Sequence, residues 1–77
     1  MIAILYSDGT MECQRIISLF QSLDQKFIEY RLDRDFTMTQ FIDEFGEGTS
    51  FPQVAIGINH VGSLKDVLNY YKERNLL

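Results

Sequence analysis

The sequence predicts an α/β domain with the element order β-α-β-α-β-β-α, in which three helices flank a four-stranded mixed sheet. Three observations lead to this prediction. A short apolar run near the start is followed by an amphipathic stretch with helical spacing and then by an alternating run. Two later segments open with helix-capping patterns. Between them, a glycine-containing turn separates two strand-like runs.

Length and composition indicate one domain spanning residues 1–77. A chain of this size buries roughly 60% of the surface that it exposes when unfolded. Apolar residues make up 45% of the sequence, and four Tyr and six Phe are available for a packed core. The net charge is −4 and no Lys/Arg cluster is present. Nucleic acid is therefore not expected as a partner, because affinity for a phosphate backbone rests on grouped cations.

The apolar N-terminal run, residues 1–5, is too short for a membrane span and lacks the basic lead of a signal peptide. We therefore expect a cytoplasmic protein that does not bind membranes. The only cysteine, Cys13, suits a reducing compartment because it has no partner for an intrachain disulfide. We further expect the protein to be a monomer.

The N-terminal half predicts one βαβ unit. Residues 2–6 form an apolar run typical of a central strand that is buried on both faces. Residues 11–23 place apolar side chains at helical spacing, and Thr10 is the predicted N-cap. Residues 26–32 alternate polar and apolar side chains. They are predicted to pair in parallel with the first strand through a right-handed connection.

The C-terminal half predicts a short helix, a hairpin and a last helix. Residues 37–40 read Thr-x-x-Gln, the form of a capping box, and Gly46 ends the helix that follows. Residues 53–56 and 60–61 are strand-like and are joined by a turn. The last helix is predicted over residues 63–74 and opens with a Ser-x-x-Asp cap.

Three short motifs stand at the ends of predicted elements. Tyr6-Ser7 closes the first strand and is followed by Thr10-Met11-Glu12-Cys13 at the start of the first helix. Ser50-Phe51-Pro52 precedes the third strand, and Gly62-Ser63-Leu64-Lys65-Asp66 opens the last helix. At this length the element order is that of the minimal thioredoxin fold. With these motifs, nearly the whole chain resembles a short glutaredoxin, of the compact kind that tailed bacteriophages encode.

Glutaredoxins carry Cys-Pro-Tyr-Cys, Thr-Val-Pro with a cis-proline, and Gly-Gly-x-x-Asp at these three places. The resemblance implies a cis Phe51-Pro52 bond and a groove in which the backbone of Phe51 pairs with glutathione as an added strand. It also implies that the start of the last helix holds the γ-glutamyl end, since free helix N–H groups suit a carboxylate. The residues implied for glutathione binding are Ser50, Phe51, Pro52, Gly62, Ser63, Lys65 and Asp66.

The sequence departs from glutaredoxins at the nucleophile. In that family the first cysteine of the motif attacks disulfides and ligates iron–sulfur clusters, whereas Thr10 can do neither. The family's lysine before the loop, which helps to bind the glycine carboxylate, has no counterpart beside Asp8. The chain is therefore predicted to lack dithiol disulfide reductase activity and to bind no cofactor tightly, with glutathione possible as a ligand.

Cys13 can be interpreted in two ways. Its place on the apolar stripe of the first helix predicts a buried core residue. Its place in the first helical turn favours a thiolate instead. With Thr10 it then resembles the Thr-x-x-Cys site of peroxiredoxins, which also needs an arginine such as Arg15 or Arg34.

Two classes of function follow. The first is a module that binds glutathione, or an extended peptide or protein partner, beside Pro52 without turning over a disulfide. The alternative is a thiol–disulfide oxidoreductase or peroxidase-like enzyme that uses Cys13 alone. A metal site is not expected, because the only histidine, His60, is assigned to the surface of the fourth strand.

Overall fold

The computed structural model describes residues 1–76 and contains the seven predicted elements in the predicted order. The bounds of the predicted strands and of the first helix differ from the prediction by one residue at most. The elements are β1 (Ala3–Ser7), α1 (Met11–Ser22), β2 (Phe27–Arg31), α2 (Met38–Phe45), β3 (Gln53–Ile56), β4 (Asn59–Gly62) and α3 (Leu64–Glu73).

The four strands form one mixed sheet in the order β2-β1-β3-β4. β1 is an interior strand, parallel to β2 and antiparallel to β3, and β3 and β4 form a hairpin. Because β1 and β2 are parallel, their last residues, Ser7 and Arg31, are partners at one edge of the sheet. β3 begins at that same edge, and β4 ends there at Gly62.

One face of the sheet carries the main core under α1 and α3. Alternation along the strands directs Ala3 and Leu5 to this face, where both are fully buried. Phe20 of α1 is also fully buried, and its ring centroid lies 5.3 Å from Phe27 and 6.4 Å from Tyr71. The Tyr71 hydroxyl donates a hydrogen bond to Gln25 Oε1 (3.0 Å), which satisfies its one polar group.

The other face carries α2 and a group of aromatic side chains. The Thr37–Gln40 capping box that begins α2 is confirmed, with both reciprocal hydrogen bonds present. α2 has only eight residues, so it covers this face in part, and Ile28 and Tyr30 stay 43% and 36% exposed. The aromatic cluster on this face consists of Tyr6, Tyr30, Phe36, Phe41, Phe45 and Phe51.

Candidate functional site

The loop between β1 and α1 is organised around the carboxylate of Asp8. Asp8 Oδ1 accepts hydrogen bonds from the Thr10 amide (3.2 Å) and the Thr10 hydroxyl (2.8 Å). The Cys13 thiol donates to the same oxygen at 3.5 Å. Thr10 occupies the predicted N-cap position, but its hydroxyl makes no capping bond to the helix. The predicted N-cap position is therefore confirmed, while the hydrogen bond that the hydroxyl donates to Asp8 orients the side chain toward that residue instead of toward the helix amides.

Asp8 carries a fixed negative charge in this loop. Burial acts to raise the pKa of its carboxyl, but hydrogen bonds from the Thr10 hydroxyl, the Thr10 amide and the Cys13 thiol outweigh that effect. The pKa of Asp8 therefore lies below its usual value. The carboxylate is therefore charged at neutral pH.

Cys13 is fully buried, as its place on the apolar stripe predicted. Its sulfur lies 3.6 Å from Thr10 Oγ1 and donates to Asp8. A reactive cysteine is a thiolate, and a thiolate here would lose this hydrogen bond and face a carboxylate. Arg15 is exposed, and Arg34 pairs with Asp35 at 2.8 Å, so neither arginine suggested by the sequence contacts the thiol. The geometry fits a buried, structural thiol.

Arg31 is a site residue that the sequence interpretation missed. Its guanidinium packs against Gly9, with Cζ, Nη1 and Nη2 at 3.5, 3.6 and 3.7 Å from where a Cβ on that glycine would lie. Nη2 lies 3.3 Å from Glu29 Oε2, whereas Nε is buried without a hydrogen-bond partner in the part of the chain described. The signal was available, because the last residues of parallel β1 and β2 meet at one edge. Arg31 places a cation at the mouth of the loop.

The segment before β3 borders the loop from the other side. The Phe51–Pro52 peptide bond is cis, as predicted, and Pro52 is fully buried. The Phe51 ring stacks on Phe41 with centroids 4.1 Å apart. Within residues 1–76, no hydrogen bond engages the backbone N–H or C=O of Phe51. The side chain is therefore anchored while the main chain is free to pair with a ligand.

The start of α3 forms the far end of the same edge. The predicted Ser-x-x-Asp cap is present, and Asp66 Oδ2 accepts bonds from the Ser63 amide and hydroxyl at 3.0 Å each. Both hydrogen bonds lower the pKa of Asp66, and the bond from the Ser63 amide has the larger effect. Gly62 has a φ of 120°, and a Cβ there would lie 2.5 Å from Asp66 Oδ2. The turn into the helix therefore requires glycine. Lys65 is exposed beside the cap.

The three predicted motifs lie along one edge of the sheet. Strand pairing brings Tyr6 next to Gln53 and Val54 next to Gly62. In order along the edge stand the end of β2, the loop after β1, the cis-proline segment and the start of α3. The structure thus places the predicted site residues in one row and adds Arg31 at one end of it.

His60 is an exposed strand residue, as predicted, and its Nε2 lies 2.8 Å from Gln53 Oε1. Across residues 1–76, no three His, Cys, Asp or Glu side chains group as they would around a metal ion. The helices in this described part are too short or too polar to cross a membrane.

Acidic pH is expected to destabilise the protein through Asp8 and Asp66. Their pKa values are lowered in the folded state. An unfolded Asp titrates at about 3.9, so this stabilisation is complete above about pH 4 and is lost as the pH falls through the lowered values. Asp66→Asn should flatten the fall in the urea midpoint below about pH 4, whereas Asp43→Asn, at an exposed carboxylate on α2, should not. Identical pH profiles for both variants would contradict this expectation.

No model of a known protein family matches the sequence, and no curated protein matches it. The structure is similar to solved ones. A buckwheat glutaredoxin in complex with glutathione has a TM-score of 0.79 and 22% identity over 96% of this chain and 71% of that one. Reduced Escherichia coli glutaredoxin has a TM-score of 0.79 and 17% identity over 97% and 98%. Actin interacting protein 5 has a TM-score of 0.68 and 19% identity over 99% and 93%.

These likenesses establish the class of fold. The protein has a glutaredoxin-like thioredoxin fold, which confirms the predicted α/β architecture. A fold alone does not carry an activity, so the function has to be argued from the site.

Proposed function

We propose that the protein is a glutaredoxin-like module that binds glutathione, or an extended peptide, along this edge of the sheet without turning over a disulfide. The observation that carries the proposal is the position of Thr10. A hydroxyl bonded to Asp8 stands where a nucleophilic thiol would be needed, and the one thiol of the chain, that of Cys13, is buried. Disulfide exchange requires an accessible thiolate.

The groove offers three contacts to an extended ligand. The free N–H and C=O of Phe51 suit main-chain pairing, which tolerates any side chain. The N-terminus of α3, with Asp66 beside it, suits a zwitterionic γ-glutamyl group, because helix N–H groups attract a carboxylate and Asp66 attracts an ammonium. At the opposite end, Arg31 supplies a cation for a second carboxylate. Arg31 on β2 would thereby take the place of the lysine that glutaredoxins carry before the loop and that has no counterpart beside Asp8.

The alternative, an oxidoreductase or peroxidase-like enzyme using Cys13 alone, is not favoured by the geometry. Cys13 is fully buried and donates to a carboxylate. A binding module needs no reactive sulfur, and a monomeric, cytoplasmic protein remains our prediction for it, since a reducing compartment keeps a lone thiol free.

An amide NMR titration with reduced glutathione, oxidised glutathione and S-methylglutathione tests the proposal. Shifts are expected at Phe51, Gly62, Lys65 and Asp66. S-methylglutathione should bind as well as glutathione, because no covalent step is involved. No shifts at millimolar ligand, or binding that requires a mixed disulfide with Cys13, would overturn the proposal.

Arg31→Met should weaken glutathione binding by about tenfold, since a charge-assisted hydrogen bond to a carboxylate contributes on the order of 1.5 kcal/mol. Arg34→Met is the matched control, because Arg34 is an exposed arginine paired with Asp35. It should change the affinity by less than about twofold. Equal effects of the two substitutions would remove Arg31 from the site while leaving the Phe51 and α3 contacts in place.

A further inference from the structure

A pocket of about 300 Å³ opens on the α2 face of the sheet. This volume is at the lower end of the range for small-molecule sites, roughly 300–1,000 Å³. Five aromatic side chains line it: Tyr6, Tyr30, Phe36, Phe41 and Phe45. None of the residues assigned to the glutathione groove lines this pocket, so it is a separate site and the inference below does not depend on the proposed function.

Tyr6 is the centre of the pocket wall. Its ring centroid lies 5.8 Å from Tyr30, 5.6 Å from Phe36 and 5.0 Å from Phe45. Tyr6 thus packs tilted or edge-on against these rings, and all four rings line the same opening. The face of an aromatic ring carries negative potential and attracts a cation within about 6 Å of its centroid.

The rim of the pocket adds negative charge. Asp35 and Glu44 both line it, but Asp35 is paired with Arg34 at 2.8 Å. Within the described residues, Glu44 forms no ion pair and no side-chain hydrogen bond. The Glu44 charge acts on the pocket-lining Tyr6. Burial is the largest cause of the raised pKa of Tyr6, and the negative charge of Glu44 is the next. One uncompensated carboxylate therefore stands at an aromatic opening.

The acidic residues around the pocket rim indicate which kind of ligand fits the pocket. Asp43 and Glu44 are exposed on α2, a helix without a basic residue, and Glu47 is exposed in the loop after it. The whole chain carries a net charge of −4. A basic peptide segment complements this charge distribution, and a lysine side chain combines an apolar stem for the rings with an ammonium for the carboxylate.

We propose that this aromatic pocket binds a lysine side chain from a basic segment of a protein partner. The methylenes of the lysine pack on the rings around Tyr6, and the ammonium is held by cation–π attraction and by the carboxylate of Glu44. Recognition of alkylammonium groups by aromatic rings is a general mode of cation binding.

An NMR titration with an N-acetylated, C-amidated pentapeptide, Gly-Lys-Lys-Lys-Gly, tests this inference. Shifts are expected at Tyr6, Tyr30 and Phe45. A matched peptide with norleucine in place of each lysine keeps the stems and removes the charges, and it should bind at least about fivefold more weakly. Equal binding of the two peptides would overturn the inference, and so would the absence of shifts at millimolar peptide.

Two variants and a small amine complete the test. Glu44→Gln should weaken binding of the lysine peptide by about fivefold, and Asp43→Asn, an exposed carboxylate outside the pocket lining, by less than about twofold. Equal effects would mean that only the acidic surface attracts the peptide, which overturns the inference. n-Butylammonium should bind far more weakly than the peptide. Equal affinity would identify a free amine, not a protein segment, as the occupant and would also overturn the inference.

Discussion

Thr10→Cys is expected to give the protein a disulfide-exchange activity. Thr10 Oγ1 lies 3.6 Å from Cys13 Sγ, so a sulfur in the γ position of residue 10 would lie one side-chain rotation from Cys13. A disulfide needs the two sulfurs about 2 Å apart, with their Cβ atoms about 3.8 Å apart. Oxidised glutathione should therefore oxidise the variant to an intramolecular disulfide and leave as two molecules of reduced glutathione, which is visible as the loss of two hydrogen atoms in the intact mass.

Asp8 should limit the reactivity of the Thr10→Cys variant. The carboxylate that accepts a hydrogen bond from the Thr10 hydroxyl would accept one from the thiol in the same way, and its charge would oppose a thiolate. Combining Thr10→Cys with Asp8→Asn should raise the rate of reduction of a small disulfide about tenfold or more over the single variant.

Thr10→Ser is the matched control for the redox prediction. It keeps the hydroxyl and its bond to Asp8, so it should behave like the natural protein and show no turnover. Turnover by the natural protein or by Thr10→Ser would mean that Cys13 acts alone. Such a result would support the single-cysteine enzyme in place of the binding module.

The fold was predictable from the sequence because each element has a local signal that agrees with its packing. Apolar residues recur at helical spacing over residues 11–23 because one face of α1 packs on the core. The helix ends one residue earlier than predicted, at Ser22. The capping patterns at Thr37 and Ser63 correctly located the starts of α2 and α3. A capping box links a residue to the one three positions later, so it can be recognised directly in the sequence. The shared edge of the three motifs then follows from the parallel and antiparallel strand pairing.

The chemistry of the site was less predictable because it depends on competition between near neighbours. The side chain of a Thr before a helix normally caps it, and the motif does not show that a hydrogen bond to Asp8 will orient the Thr10 hydroxyl away from the helix amides. The position of Arg31 at the site could be predicted only by combining two facts. β2 ends beside the loop, and Gly9 leaves room for a guanidinium. The packing of Phe36 and Phe51 against α2 depends on loop conformations, which periodicity does not encode.

Phe41→Ala is expected to destabilise the protein by about 3–5 kcal/mol, the usual cost of removing a buried phenylalanine. Phe41 is 2% exposed and is the one buried side chain of α2. Its ring lies 4.1 Å from Phe51 and 4.9 Å from Phe45, so its loss opens a cavity between α2 and the sheet. A 77-residue domain has roughly 4–12 kcal/mol of stability in total. The substitution should therefore remove at least about a quarter of that stability, and urea denaturation should show a correspondingly lower midpoint.

Phe41→Leu separates the effect on the fold from the effect on the groove. It keeps most of the buried volume and should cost about 1–2 kcal/mol, so the variant stays folded. It also removes the ring on which Phe51 stacks. Because the free main chain of Phe51 is held in place through that side chain, Phe41→Leu should weaken glutathione binding, whereas Phe36→Leu, with its ring centroid 6.0 Å from Phe51, should weaken it less. If both variants bound glutathione equally well, the Phe41–Phe51 stack would contribute to the core alone, and the groove would be positioned by the backbone without it.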